Sequence, residues 1–192
     1  MKKVIGITGG IATGKSVVTT YLRAHGYEVI DADAVVRELQ EVGGALYIAI
    51  RDTFGQTYFL KNGDLDRARF GALIFSDAAA RAKLSVVQDR IIRTELFRRC
   101  DSSQSDLVFM DIPLLFERAY TGFDETWLVY APQNIQLERL MKRNSLSESE
   151  ALLRIQAQMP IDEKRSLATR IIENCGTIEV LENQLASLIS EI

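Results

Sequence analysis

Short apolar runs alternate along the chain with longer stretches in which apolar residues recur every three or four positions. The runs are VIGIT at 4–8, YEVID at 27–31, LVFMD at 107–111, TWLVYA at 126–131 and RIIE at 170–173. Runs of this length, rich in β-branched and aromatic residues, predict buried strands. Helical spacing predicts helices over 15–24, 34–53, 66–74, 78–99, 133–143, 147–157, 161–168 and 177–191. Strands separated by helices give an α/β fold with a five-stranded parallel sheet flanked by helices, one domain over 1–192. About 75 mostly helical residues separate the second strand from the third. That is far more than one crossover needs, so 34–99 reads as a helical insertion.

The first strand runs into GGIATGKS at 9–16, where Gly9, Gly14, Lys15 and Ser16 fit G-x-x-x-x-G-K-[ST] without a gap. The motif needs a strand before it and a helix after it, and both are predicted here. Successive backbone N–H groups of a tight loop make a concave anion site, and the helix behind adds its positive N-terminal end. Gly10, Ile11, Ala12, Thr13, Gly14, Lys15, Ser16 and Val17 are therefore the expected residues of a nucleoside triphosphate site. Lys15 would reach the β- and γ-phosphates, and the Ser16 hydroxyl would sit on Mg²⁺.

Ligands of a parallel sheet bind outside the carboxyl ends of its strands. Polar residues that close strands are thus the next candidates. The third strand ends in Asp111, the expected metal-side carboxylate with Ser16. The second ends in Asp31-Ala32-Asp33. Asp33 suits the base that takes a proton from an acceptor hydroxyl, and Asp31 suits orientation of that acceptor or a water-bridged Mg²⁺ contact. Asp33 also opens a helical pattern, where an aspartate commonly serves as N-cap. DTFG at 52–55 mimics a GTPase switch, but it ends a helical pattern and no Asn-Lys-x-Asp occurs.

Composition narrows the class further. A net charge of −3 argues against a broadly basic nucleic-acid surface. No apolar run approaches the roughly 18 residues of a membrane span, and the basic start is too short for a signal peptide. The two cysteines, Cys100 and Cys175, are too distant for a CxxC motif. A cytoplasmic protein with reduced thiols is expected. Cys100 suits a buried helix end, Cys175 a small packing position and His25 the end of the first helix.

Taken together, IGITGGIATGKS (5–16), VIDADAVVREL (29–39), GDLDRARFGALIF (63–75), DIPLLFE (111–117), ERLMKRNSLSESEALLRIQAQMP (138–160), EKR (163–165) and IIENCG (171–176) resemble dephospho-coenzyme A kinases, along nearly the whole chain. The resemblance implies a P-loop kinase in which ATP gives its γ-phosphoryl group to the ribose 3′-hydroxyl of dephospho-CoA, the last step of coenzyme A biosynthesis. It implies Asp33 as catalytic base and 34–99 as the segment that binds the CoA moiety, with Arg37, Leu65, Asp66 and Arg67. Leu114, in DIPLLFE, joins the substrate contacts. Arg139 and Arg143 map onto a lid over 138–158, and Asn174 and Gly176 onto the adenine-contacting loop. No nucleic acid, membrane or obligate protein partner is implied. One departure stands out: Asp89-Arg90 where the family commonly has His-Pro. Another P-loop kinase, acting on a nucleoside monophosphate or on shikimate, is the alternative. So is a nucleotide-binding subunit without catalysis.

Overall fold

The computed structural model describes residues 2–192. They divide into two compact units, 2–30 with Ser103–Ile192, and Asp31–Ser102.

The first unit holds the sheet. Strands β1 (Lys3–Gly9), β2 (Glu28–Asp31), β3 (Leu107–Asp111), β4 (Glu125–Tyr130) and β5 (Arg170–Glu173) lie parallel in the order β2-β3-β1-β4-β5. Each lies within a residue or two of its expected run. Helix α1 (Lys15–Ala24) follows β1, and α6 (Gln133–Asn144), α7 (Glu148–Gln156), α8 (Ile161–Leu167) and α9 (Ile178–Ser190) follow β4 and β5. Ile5 and Ile7 of β1 point to one face, where they pack with Val18 and Leu22 of α1, Phe109, Trp127, Val129, Ile172 and Leu181 and Leu185 of α9. The Phe109 and Trp127 rings meet edge to face at 5.4 Å, and both are fully buried. Emptying either position would cost about 3–5 kcal/mol. Helix α7 starts with a reciprocal cap between Ser147 and Glu150. His25 ends α1, with Nδ1 2.8 Å from the Tyr21 carbonyl oxygen and its ring stacked on that of Tyr21.

The second unit is helical: α2 (Ala32–Leu39), α3 (Ala45–Phe54), α4 (Arg67–Ser76) and α5 (Ala78–Ser102), with a 3₁₀ turn at Gln56–Tyr58. The single helix expected over 34–53 is two. Residues 40–44 break it because Gly43 takes φ +85° and so turns the chain where a continuing helix would need a negative angle. Ile50, Phe70 and Leu84 form the core of this unit under Phe54, Tyr58, Phe59 and Leu65. Helix α5 runs unbroken for 25 residues. Arg90 stands in its interior where a proline would remove a helical hydrogen bond, and Asp89 pairs with Arg93 one turn on at 2.7 Å.

Glu95 of α5 accepts from Arg98 at 2.7 and 2.8 Å and from Arg99 at 2.8 Å, and Arg99 reaches Glu38 of α2 at 2.5 Å. These hydrogen bonds, that of Arg98 foremost, hold the Glu95 carboxyl at about 2, against an ordinary 4.5. A depressed carboxyl stabilises the fold in full above the unfolded value and loses that contribution as pH falls through the folded one. Glu95→Gln should therefore melt about 2–4 °C lower than the parent at pH 7. The gap should close between pH 4.5 and about 2. A gap independent of pH in thermal melts would contradict the pairing.

Candidate active site

The loop between β1 and α1 owes its shape to two left-handed residues, Ala12 at φ +60° and Gly14 at φ +91°. Thr13 between them is fully buried and turned inward. Its N–H and hydroxyl both donate to the Gly10 carbonyl, at 3.3 and 2.9 Å. Gly14 is the N-cap of α1 and brings no side chain to it, and the first turn has no acidic residue. The positive end of the helix is thus left uncompensated, which is what an anion site requires.

Other elements brace the loop from behind. The Asn174 amide, just past β5 and buried, donates to the Thr13 carbonyl at 2.7 Å. Arg139 of α6 donates to the Asn174 carbonyl at 2.9 Å and to the Thr13 carbonyl at 3.5 Å. Gln158, between α7 and α8, accepts from the Ile11 N–H at 2.8 Å. A Cβ on Gly14 would fall on the Asn174 amide nitrogen, so that position needs glycine for space as well as for angle.

Lys15, the first residue of α1, forms an ion pair with Asp111, the last residue of β3, and both side chains are largely buried. The register that sets Ile7 opposite Asp111 brings the two strand ends together. Ser16 and Val17 follow on the exposed side of the first turn. Among the described residues, no group of three or more His, Cys, Asp or Glu side chains gathers to hold a metal.

The remaining expected residues divide. Arg139 reaches the loop, whereas Arg143 is exposed and donates to its neighbour Asn144 at 2.9 Å. The Asn174 side chain faces the loop backbone. Gly176 and Cys175 are exposed, so Cys175 does not fill the packing position expected for it. Leu114 lies partly exposed after β3. In the helical unit it is Asp31 that caps α2, accepting from Ala34 N–H at 3.0 Å. Asp33 is the second residue of that helix and exposed, so the cap expected of it belongs to Asp31, whose φ is still extended. Arg37 stands one turn on, also exposed. Leu65 packs on the Ile50–Phe70–Leu84 cluster, Asp66 caps α4, and Arg67 is exposed at its start. Sequence reasoning missed Gln158, Lys164 and Glu117. Lys164 and Glu117 lay within EKR and DIPLLFE, but only tertiary structure shows what they touch.

The dephospho-CoA kinase family model matches residues 3–179. The chain belongs to the dephospho-CoA kinase family. A dephospho-CoA kinase of Lactococcus lactis is 50% identical to it, with 98% of each chain covered. A crystal structure of a Thermus thermophilus protein superposes with a TM-score of 0.82 at 37% identity, covering 100% of this chain and 98% of that one. The dephospho-CoA kinase of Campylobacter jejuni follows at 0.71 and 26%, covering 100% and 97%. A member of this family is an ATP-dependent kinase, and the loop after β1 is its nucleotide-binding P-loop. No helix among the described residues is long and apolar enough to cross a membrane.

Gly14→Ala tests the geometry of that P-loop. A left-handed angle on a residue with a Cβ, set against the Asn174 amide, should cost about 1–3 kcal/mol. Chemical denaturation measures it, and an unchanged midpoint would mean that the loop takes another shape in solution.

Proposed function

We propose that the chain transfers the γ-phosphoryl group of ATP to the ribose 3′-hydroxyl of dephospho-CoA, giving CoA and ADP, the last step of coenzyme A biosynthesis. Family membership supports the reaction. The observation that carries the residue roles is the braced P-loop, with an uncapped helix end in front and Lys15 beside Asp111. Residues 10–17 form the loop that binds the phosphates, through the backbone N–H groups not already donated to Gln158 and to loop carbonyls, and Lys15 exchanges part of its contact with Asp111 for the β- and γ-phosphates.

Ser16 and Asp111 are hard oxygen donors, and two of them suit Mg²⁺. That ion keeps several waters and takes its other ligands from substrate phosphates, so it needs no cage of three carboxylates. When bound it neutralises charge on the β- and γ-phosphate oxygens. Asp33 takes the proton of the 3′-hydroxyl as that oxygen attacks the γ-phosphorus, and ADP leaves with the electron pair of the broken P–O bond. Exposure of Asp33, which the cap by Asp31 leaves free of that duty, supports the role, and Asp31 next to it orients the acceptor.

Arg139 offsets charge on the transferring group by giving up its contacts with the Thr13 and Asn174 carbonyls. Residues 138–158 act as a lid whose closure brings in Arg143. Asn174 and Gly176, in the loop after β5, border the adenine. Residues 34–99 hold the CoA moiety, Arg37 and Arg67 meeting its anionic groups and Leu114 an apolar part. Leu65 shapes the segment from within. Two free cysteines suit the cytoplasm.

The test is ATP-dependent ADP release with dephospho-CoA, AMP, CMP, shikimate or water as acceptor. Release with dephospho-CoA alone is expected, and release with another acceptor would overturn the substrate. Asp33→Asn should keep ATP affinity and lose roughly 10²–10⁴ in turnover. A folded Asp33→Asn that no longer binds ATP would count against a base. Lys15→Ala should impair both binding and turnover.

A further inference from the structure

We propose that Lys164 is a positioning residue for the P-loop, acting through a buried ion pair with Glu117. Lysine is rarely buried unless paired, yet Lys164 of α8 is fully enclosed. Its ammonium lies 2.7 Å from Glu117 Oε1, 3.4 Å from the Pro113 carbonyl and 3.5 Å from the Gly9 carbonyl. Three N–H groups thus meet three acceptors.

Each acceptor belongs to a different working segment. Gly9 opens the P-loop. Pro113 lies two residues beyond Asp111, and its carbonyl also accepts from Thr8 at 3.1 Å. Glu117 Oε1 takes in addition the Met159 N–H at 3.3 Å, next to the Gln158 that holds Ile11. One cation therefore ties the entry of the P-loop, the segment carrying Asp111 and the link between α7 and α8.

Stability alone is a poor reason for this arrangement. Burying two charges costs several kcal/mol per ion, and well-packed apolar residues of similar volume often serve stability as well or better. Here the cost is raised further, because Glu117 Oε2 is buried without a hydrogen-bond partner. A directed charge does what a methionine could not: it holds the Gly9 and Pro113 carbonyls at fixed points.

The inference rests on the P-loop as the ATP site and not on the acceptor. The experiment compares Lys164→Met, Glu117→Gln and the double variant Lys164→Met/Glu117→Met with the parent, by thermal melting and by ATP binding in a calorimeter without acceptor. Lys164→Met should melt lower, since it strands the Glu117 charge, and bind ATP about tenfold to a hundredfold more weakly. The double variant should recover a midpoint within about 3 °C of the parent and still bind ATP at least about tenfold more weakly. Recovery of both would assign the pair to stability and overturn the proposal. Should the double variant not fold, Glu117→Gln decides: folded with parental ATP affinity, it also overturns the proposal. A parent protein that binds ATP but leaves dephospho-CoA unchanged would sink the acceptor reading while this comparison stands.

Discussion

A backbone can turn its N–H groups toward a ligand only if its carbonyls find partners on the other side. In the P-loop that requirement is met three times over: Thr13 serves the Gly10 carbonyl, Asn174 that of Thr13, and Lys164 that of Gly9. Unpartnered and buried, each would cost a lost hydrogen bond's worth of free energy. The partners come from the loop itself, from the end of β5 and from α8, so the strand order is part of the site. Register places Tyr130 opposite Glu173, and the next residue, Asn174, bonds from its N–H to the Tyr130 carbonyl at 2.8 Å. A slip in that pairing would take the brace away from Thr13.

The parts of this arrangement that depend on neighbours in sequence were legible in the sequence. Strand runs differ from helical spacing within a few residues, and the G-x-x-x-x-G-K-S pattern names its own loop. What depends on distant residues was not. Lys164 and Gly9 are 155 positions apart, and Gln158 and Ile11 are 147. No spacing rule connects them, and a lysine among charged neighbours in IDEKRSL reads as solvated surface.

Local ambiguity accounts for the smaller differences. Asp31 and Asp33 both sit where a helix could start, and the extended φ of Asp31 decides between them. The apolar pattern of 34–53 continues across Gly43 and Gly44 because periodicity counts side chains and is blind to a backbone angle. Asn174 lies just past β5, but the direction of its amide follows from the Thr13 carbonyl facing it. Arg139 and Arg143 share a helical face one turn apart, and α6 carries only the first to the loop.

The pairing of Lys15 with Asp111 means that the ammonium at the mouth of the P-loop already has a counter-charge. An inorganic anion with nothing else to offer must pull the two apart to gain the lysine, and it takes from the carboxylate one of its counter-charges. A nucleotide that arrives with a divalent cation returns something to each partner, an anion to the ammonium and a cation to the carboxylate. On charge grounds the resting pair therefore favours a ligand that brings both signs over one that brings an anion alone.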